Sequence, residues 1–296
     1  MDAAATGIGR PRPLRAVGLL SGGLDSTLAA RVLLEQGVEV LGLHFSTGFC
    51  MNDHRRALAR PGEEARRLRN EGLRAGADLG VPVEVRDAGE AYFRMVLNPK
   101  HGYGRRANPC IDCRLFMIHG AAEYMREVGA HFVFTGEVLN QRPMSQHMQA
   151  LRMIEKECGI PGYLLRPLSA RHLPATVPEE RGWVDRERLL AIVGRSRKEQ
   201  MHWSETWGIA DYPQPSGGCC YLADETFARR FHDKKSHTPP EAMRREEMIL
   251  LKVGRHFRLT PQVKIVVARD EAENRFLERL SIAGWRFEAL DCGSPI

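Results

Sequence analysis

The chain has 296 residues, of which 43% are hydrophobic and 27% charged, with a net charge of +6; this is ordinary globular composition and excludes a disordered or low-complexity chain. No apolar run approaches the roughly 18 residues of a membrane span and Met1–Leu14 lacks a signal peptide's apolar core, so a soluble, cytoplasmic protein with no membrane contact is expected. Seven cysteines, odd in number and clustered, exclude a simple disulfide framework and point to metal or sulfur chemistry in a reducing compartment.

In chain order, residues 1–14 read as a loose arm and Ala16–Leu20 as the first strand. The strand runs into Ser21-Gly22-Gly23-Leu24-Asp25-Ser26, and Thr27–Gln36 reads as a helix ending at Gly37. This is an anion cradle: glycines let the backbone approach a ligand, and the positive end of the helix dipole faces it. A Walker-type loop would end in Gly-Lys-Ser/Thr, and no lysine occurs before Lys100. Val38–Phe45 is the second strand, and Cys50 lies just beyond its carboxyl end, the edge where a doubly wound sheet binds ligands. Met51–Pro61 is a basic insertion, Glu63–Leu79 an arginine-rich helix, Val81–Val85 the third strand and Gly89–Leu97 a helix.

Asn108–Cys113 opens the next helix, through Val128, and Ala130–Thr135 is the fourth strand, ending in Thr135-Gly136-Glu137. Strands alternating with helices predict an α/β fold with a doubly wound, mainly parallel sheet. Arg142–Cys158 reads as helix, Leu164–Pro167 as a last strand, Asp185–Trp207 as one or two helices and Asp211–Cys220 as a loop. After a change in composition, Thr226–Ser236 is a charged helix with Phe227 and Phe231 on one side, and Thr238–Pro240 a linker. Met248–Val253, Phe257–Leu259 and Val263–Ala268 read as short strands, Glu271–Ala283 as a helix and Arg286–Leu290 as a final strand. The expected domains are an arm at 1–14, an α/β domain at 15–222 and a smaller α+β domain at 223–296 that stops short of a complete unit.

Cys110-x-x-Cys113 at a helix start suits thiolates and metal ligation alike. The other clustered pair is Cys219-Cys220, whose side chains point apart on an extended chain. Zinc on four thiols, an iron–sulfur cluster on three, and a redox pair all remain open on spacing alone. Cys158 and Cys292, which stand alone, are expected to be inert.

The stretches Ser21–Ser26, Asn108–Cys113, Thr135–Gln146 and Gly217–Cys219, in this order, resemble the PP-loop ATP pyrophosphatases and, among them, the tRNA thiouridine synthases. The likeness is nearer to the catalytic domain of 4-thiouridine synthases than to 2-thiouridylases, and it covers residues 14–222. It implies an adenine nucleotide alpha hydrolase-like fold and a two-stage reaction: ATP adenylates a uridine carbonyl oxygen, and sulfur then displaces AMP. On that resemblance, ATP binds Ser21, Gly22, Gly23, Asp25, Ser26, Thr135, Gly136 and Glu137, with Gln141 and Ser145 nearby, and Asp25 holds Mg²⁺. Asp25, Cys110, Cys113 and Cys219 are the implied catalytic residues. Cys110, Cys113 and Cys219 (or Cys220) match the three ligands of a 4Fe-4S cluster; the alternative is zinc, or no metal and a cysteine persulfide, with Cys50 as a sulfur acceptor. The segments Leu251–Leu259 and Lys264–Arg269 are similar to an RNA-binding domain of the NFACT group, although residues 223–296 carry only 14 Lys/Arg against 12 Asp/Glu. Implied partners are tRNA and a sulfur donor, sulfide or a persulfide carrier, with a homodimer left open. Competing readings are a PP-loop enzyme that inserts sulfur or nitrogen into a small molecule, and a zinc-stabilised RNA-binding protein without catalysis.

Overall fold

The computed structural model describes residues 13–51, 54, 69–213, 220–280, 282 and 284–287. Residues 1–12 of the arm, most of the basic insertion, the first part of the helix expected at Glu63–Leu79, Cys219, Cys292 and the end of the last expected strand lie outside the described residues. Contacts divide the chain into two compact units: Met1–His44, Ala75–Glu84 and Met117–Tyr212 form the first, and Phe45–Arg74, Val85–Phe116 and Pro213–Ile296 the second. Residues 223–296 thus belong to the second unit together with two earlier stretches of chain.

The main sheet contains β1 (Arg15–Leu19), β2 (Glu39–Ser46), β3 (Val83–Asp87), β4 (Phe132–Thr135) and β5 (Leu164–Leu165) in the order β3-β2-β1-β4-β5. β1 is parallel to both β2 and β4, with Val17 opposite Leu41 and Val133, and β4 is parallel to β5. Helices α1 (Leu24–Leu34), α2 (Glu71–Leu79), α3 (Gly89–Leu97), α4 (Cys110–Glu127) and α5 (Met148–Glu157) occupy the crossovers. Parallel strands covered on both faces need apolar side chains throughout, and Ala16, Val17, Phe132, Val133 and Phe134 are all 0% exposed. The order reverses between β1 and β4, so the crevice beyond their carboxyl ends is a topological switch point where such sheets bind ligands. α6 (Val177–Glu180) and α7 (Lys198–Thr206) complete this unit, and α7 packs on α1. The helix expected from Arg142 begins only at Met148, where the His147 ring caps the Ala150 N–H; residues before it are turns.

The second unit has its own core, in which Phe49, Tyr92, Phe93, Leu222, Phe227 and Phe231 are buried together. Phe227 and Phe231 stand one turn apart on α8 (Glu225–His237), as their spacing predicts. The expected strand at Met248–Val253 is instead a helical turn, α9 (Glu247–Leu250). Within the run Met248 and Leu251 are buried three apart, a helical spacing, and the Glu247 carboxylate accepts the Arg244 N–H at 3.0 Å. β6 (Arg255–Arg258) and β7 (Lys264–Val267) form an antiparallel pair with Phe257 opposite Ile265, followed by α10 (Glu271–Glu278). The pair's inner positions are polar: Arg258 and Lys264 both reach Asp233 of α8 at 2.7 Å and hold its carboxyl well below the usual carboxylate range.

Two histidines of this unit resist protonation. Burial, with Arg230 and Lys264 adding positive charge, pushes His256 down to about 4, and its Nε2 donates to the Leu250 and Val253 carbonyls at 3.0 Å. Burial and nearby Lys252 push His54 down to about 4. An unfolded histidine takes up a proton near 6.5 while these do not until about 4, so stability is lost as pH falls across that window and is fully present above it. Thermal unfolding followed by near-ultraviolet circular dichroism should show a falling midpoint between pH 6.5 and 4 that flattens in a His256→Asn variant; an unchanged slope would contradict the assignment.

Candidate active site

In the first unit the loop after β1 turns through Gly22, whose φ of +77° is a conformation glycine adopts without strain. α1 begins at N-cap Gly23 with no side-chain cap, so the first-turn N–H groups face outward as an anion site. Ser26 and Thr27 hydroxyls donate back to the Gly23 carbonyl at 2.9 and 3.1 Å, and Ser21 Oγ lies 3.2 Å from Ser26 Oγ. The Gly23 N–H also donates to Ser21 Oγ at 3.4 Å, a long bond that closes the loop. At the end of β2, the His44 ring bonds the Leu20 carbonyl at 2.8 Å and steadies the start of the loop.

Beyond β4, Gly136 meets the first turn of α1. A Cβ there would lie 2.5 Å from Ser26 N and 2.6 Å from Asp25 C, so only glycine lets the two segments approach. Gln141 then donates to Asp25 Oδ2 at 2.7 Å, fully buried Gln200 donates to Gln141 Oε1 at 2.9 Å, and Arg197 stands 3.6 Å from Asp25 Oδ1. Asp25 Oδ1 is itself buried without a hydrogen-bond partner among the described residues. A carboxylate oriented beside the cradle is the kind of group that takes a Mg²⁺ ion, since that ion is held by one or two carboxylates plus substrate, and here its Oδ1 faces the Arg197 guanidinium. Glu137 has another role: 1% exposed, it accepts from Thr135 Oγ1 and from Arg166 Nε, both at 3.1 Å, and so anchors the segment. Ser145 is buried close by in sequence.

The second unit gathers the cysteines. Cys110 starts α4, and Asp112 in its first turn accepts the Lys100 and His101 N–H groups at 3.1 and 3.0 Å, pinning the preceding loop. Asn108 Nδ2 approaches Cys110 Sγ at 3.1 Å, and Tyr92 of α3 donates to Cys113 Sγ at 3.2 Å. Cys220 pairs its backbone with Cys50 in an antiparallel bridge. Burial raises the Tyr92 phenol well above its ordinary value, and the charges of Cys113, Cys220 and Cys110 raise it further, so one phenol neighbours three cysteines. Among the described residues no three His, Cys, Asp or Glu side chains are grouped to hold a metal ion, and Cys219 lies outside them. The described thiols therefore do not by themselves fit a three-ligand cluster. Cys158 is buried, as expected of an inert cysteine.

Arg197, Gln200, Arg166 and Tyr92 are not singled out by the sequence. Only Tyr92 carries a legible signal, since Tyr92, Phe93, Val96 and Leu97 form the buried stripe of α3. Tyr92→Phe should keep the fold, costing about 0.5–1.5 kcal/mol for the lost bond, and should change the alkylation rate of Cys113 with iodoacetamide; an unaltered rate would deny Tyr92 any influence on the thiol.

The family model described as Thiamine biosynthesis protein (ThiI) matches residues 14–172, more than half of the chain. The chain belongs to the ThiI family. Within that match lie the cradle, Cys50, Cys110, Cys113 and the Gly136 segment. The model of the NFACT protein RNA binding domain matches residues 254–296. This ThiI-family chain is similar to the tRNA-specific 2-thiouridylases MnmA of Bartonella quintana (strain Toulouse), 28% identical over 50% of this chain and 37% of that protein. It is also similar to MnmA of Symbiobacterium thermophilum, 31% identical over 44% of this chain and 35% of that one. It thus spans little more than a third of the length of the curated relatives it matches. Among solved structures, a 4-thiouridine synthetase–RNA complex with bound ATP matches 66% of this chain and 51% of its own, at 19% identity and a TM-score of 0.37. A predicted tRNA methyltransferase subunit from Methanocaldococcus jannaschii matches 61% and 97%, at 15% identity and 0.35. No helix among the described residues is long and apolar enough to cross a membrane.

Proposed function

We propose that the chain is a cytoplasmic, ATP-dependent tRNA sulfurtransferase that adenylates a uridine carbonyl oxygen and replaces it with sulfur to give a thiouridine. The observation that carries this reading is the uncapped start of α1 at the switch point, with Asp25 oriented by Gln141 and Arg197. It is supported by membership of the ThiI family and by the likeness to 2-thiouridylases. The N–H groups of Gly22, Gly23 and Ser26 and the Ser21 hydroxyl would hold the phosphates of ATP, and Asp25 would hold Mg²⁺, which when bound would neutralise phosphate charge. Thr135 and Glu137 keep Gly136 against α1. This makes the uridine oxygen a leaving group.

The sulfur step belongs to the cysteines of the second unit. Cys110 and Cys113 at the start of α4 are the candidates for sulfur transfer or, together with Cys219, for a 4Fe-4S cluster, and Cys50 for a sulfur acceptor. The donor is sulfide or a persulfide carrier. Residues 15–222 carry the catalytic groups and 223–296 contact tRNA. The match to an RNA-binding domain at 254–296 and the exposed Phe257, Trp285 and Phe287 support that contact. Because Phe227 and Phe231 share a core with Phe49 and Tyr92, point variants test this better than truncation. Arg255→Ala with Phe257→Ala should weaken tRNA binding about tenfold in a filter-binding assay without changing ATP affinity; undiminished tRNA binding would remove the role.

A second reading is favoured by one observation, the family's description as thiamine biosynthesis: sulfur delivered to a small molecule. Purified protein with ATP and sulfide separates the two. The first reading expects AMP and pyrophosphate to form in step with an unmodified tRNA transcript; tRNA-independent turnover would favour the second.

A further inference from the structure

Helix α7 packs on α1, and its buried residues, Gln200 and Ser204, are one turn apart and both polar. Ser204 is satisfied within the helix, its hydroxyl donating to the Met201 carbonyl at 2.8 Å. Gln200, 0% exposed, reaches outside it: its Nε2 donates to Gln141 Oε1 at 2.9 Å, and Gln141 Nε2 donates in turn to Asp25 Oδ2 at 2.7 Å. The Gln200 Oε1 is buried with no hydrogen-bond partner among the described residues. Arg197, one turn earlier at the N-cap of α7, stands 3.6 Å from Asp25 Oδ1. The start of α7 therefore acts on both carboxylate oxygens of Asp25, on one directly and on the other through Gln141.

A carboxylate only accepts, so Asp25 fixes the direction of the chain of bonds. Gln141 must turn its amide nitrogen to Asp25 and its oxygen away, and a donor has to meet that oxygen. The last torsion of a glutamine is broad and roughly two-fold, so an amide held at Asp25 alone can turn away from it; Gln200 holds the far end. Burying an amide with its oxygen unpaired costs stability that an apolar side chain of the same length would not lose. The bond to Gln141 is what the amide at position 200 supplies against that cost. We propose that Gln200 is a positioning residue for pyrophosphate release, an inference that rests on the sulfurtransferase reading: through Gln141 it holds the Asp25 carboxylate in place beside the cradle. Fully buried, it acts through Gln141 and not on the nucleotide.

Steady-state pyrophosphate release by the full chain with ATP and a tRNA transcript, measured for Gln200→Met, Gln141→Met and the double variant, tests this. Methionine keeps the length and flexibility of the side chain without the donor, so the melting temperature of Gln200→Met should not fall. Its kcat should drop about tenfold with the KM for ATP nearly unchanged, because the N–H groups of the cradle are untouched. The double variant should be no slower than Gln141→Met, since Gln200 acts only through that residue. Gln200→Leu also lacks the donor, should give the same kinetics, and carries the test should the methionine variant not fold. An unchanged kcat in the folded variants, a loss confined to KM, or losses that add in the double variant would overturn the proposal alone. No pyrophosphate release by the wild-type chain would overturn the sulfurtransferase reading and the proposal together.

Discussion

Asp25→Ala should lower the rate of pyrophosphate release by at least about a hundredfold while leaving the fold intact. The Asp25 side chain is 19% and that of Arg197 25% exposed, and at 3.6 Å their ion pair adds little stability. The loss falls on catalysis because Asp25 is the acidic residue in the first turn of α1, where the phosphates of ATP would lie. Asp25→Asn should be nearly as inactive, since it keeps the shape and removes the charge. Initial rates of pyrophosphate release, with ATP affinity measured in parallel, check this. A variant that retains a tenth or more of the rate would move the metal, and with it the adenylation step, away from Asp25.

Gly136→Ala should act on binding and stability together. The new Cβ would meet the backbone of Asp25 and Ser26 at 2.5–2.7 Å, and backbone atoms at the start of a helix cannot swing aside as a flexible side chain can. Either the end of β4 or the first turn of α1 must shift, which costs about 1–3 kcal/mol and disturbs the N–H groups that face the phosphates. A lowered melting temperature with ATP affinity reduced about tenfold or more is expected. Unchanged ATP affinity would mean that the segment beyond β4 has no part in the nucleotide site.

What the sequence discloses is what depends on local pattern. β1 and β4 are readable because both-face burial demands uninterrupted apolar residues, and the cradle because its glycines and Asp25 sit at a strand-to-helix transition. Gly89–Leu97 is recovered to the residue from its apolar spacing. Gln141, 116 residues from Asp25, is named only through the resemblance, and Gln200, a further 59 residues on, is hidden, since nothing in an isolated glutamine announces burial. Arg166 reads as one more arginine of a basic chain until it is found between Glu137 and Glu155. The run at 248–253 misleads because Met-Ile-Leu-Leu-Lys-Val is apolar without alternation, and length and capping alone decide between turn and strand. The cysteine grouping was half legible: the Cys110-x-x-Cys113 spacing points to joint chemistry, whereas the Tyr92 hydroxyl that bonds Cys113 follows only from how α3 packs.

The most direct measurement is mass spectrometry of tRNA nucleosides from cells lacking the gene. Loss of one thiouridine, restored by the wild-type chain and not by Asp25→Ala, is the predicted result. An unchanged content of every thionucleoside would contradict the account.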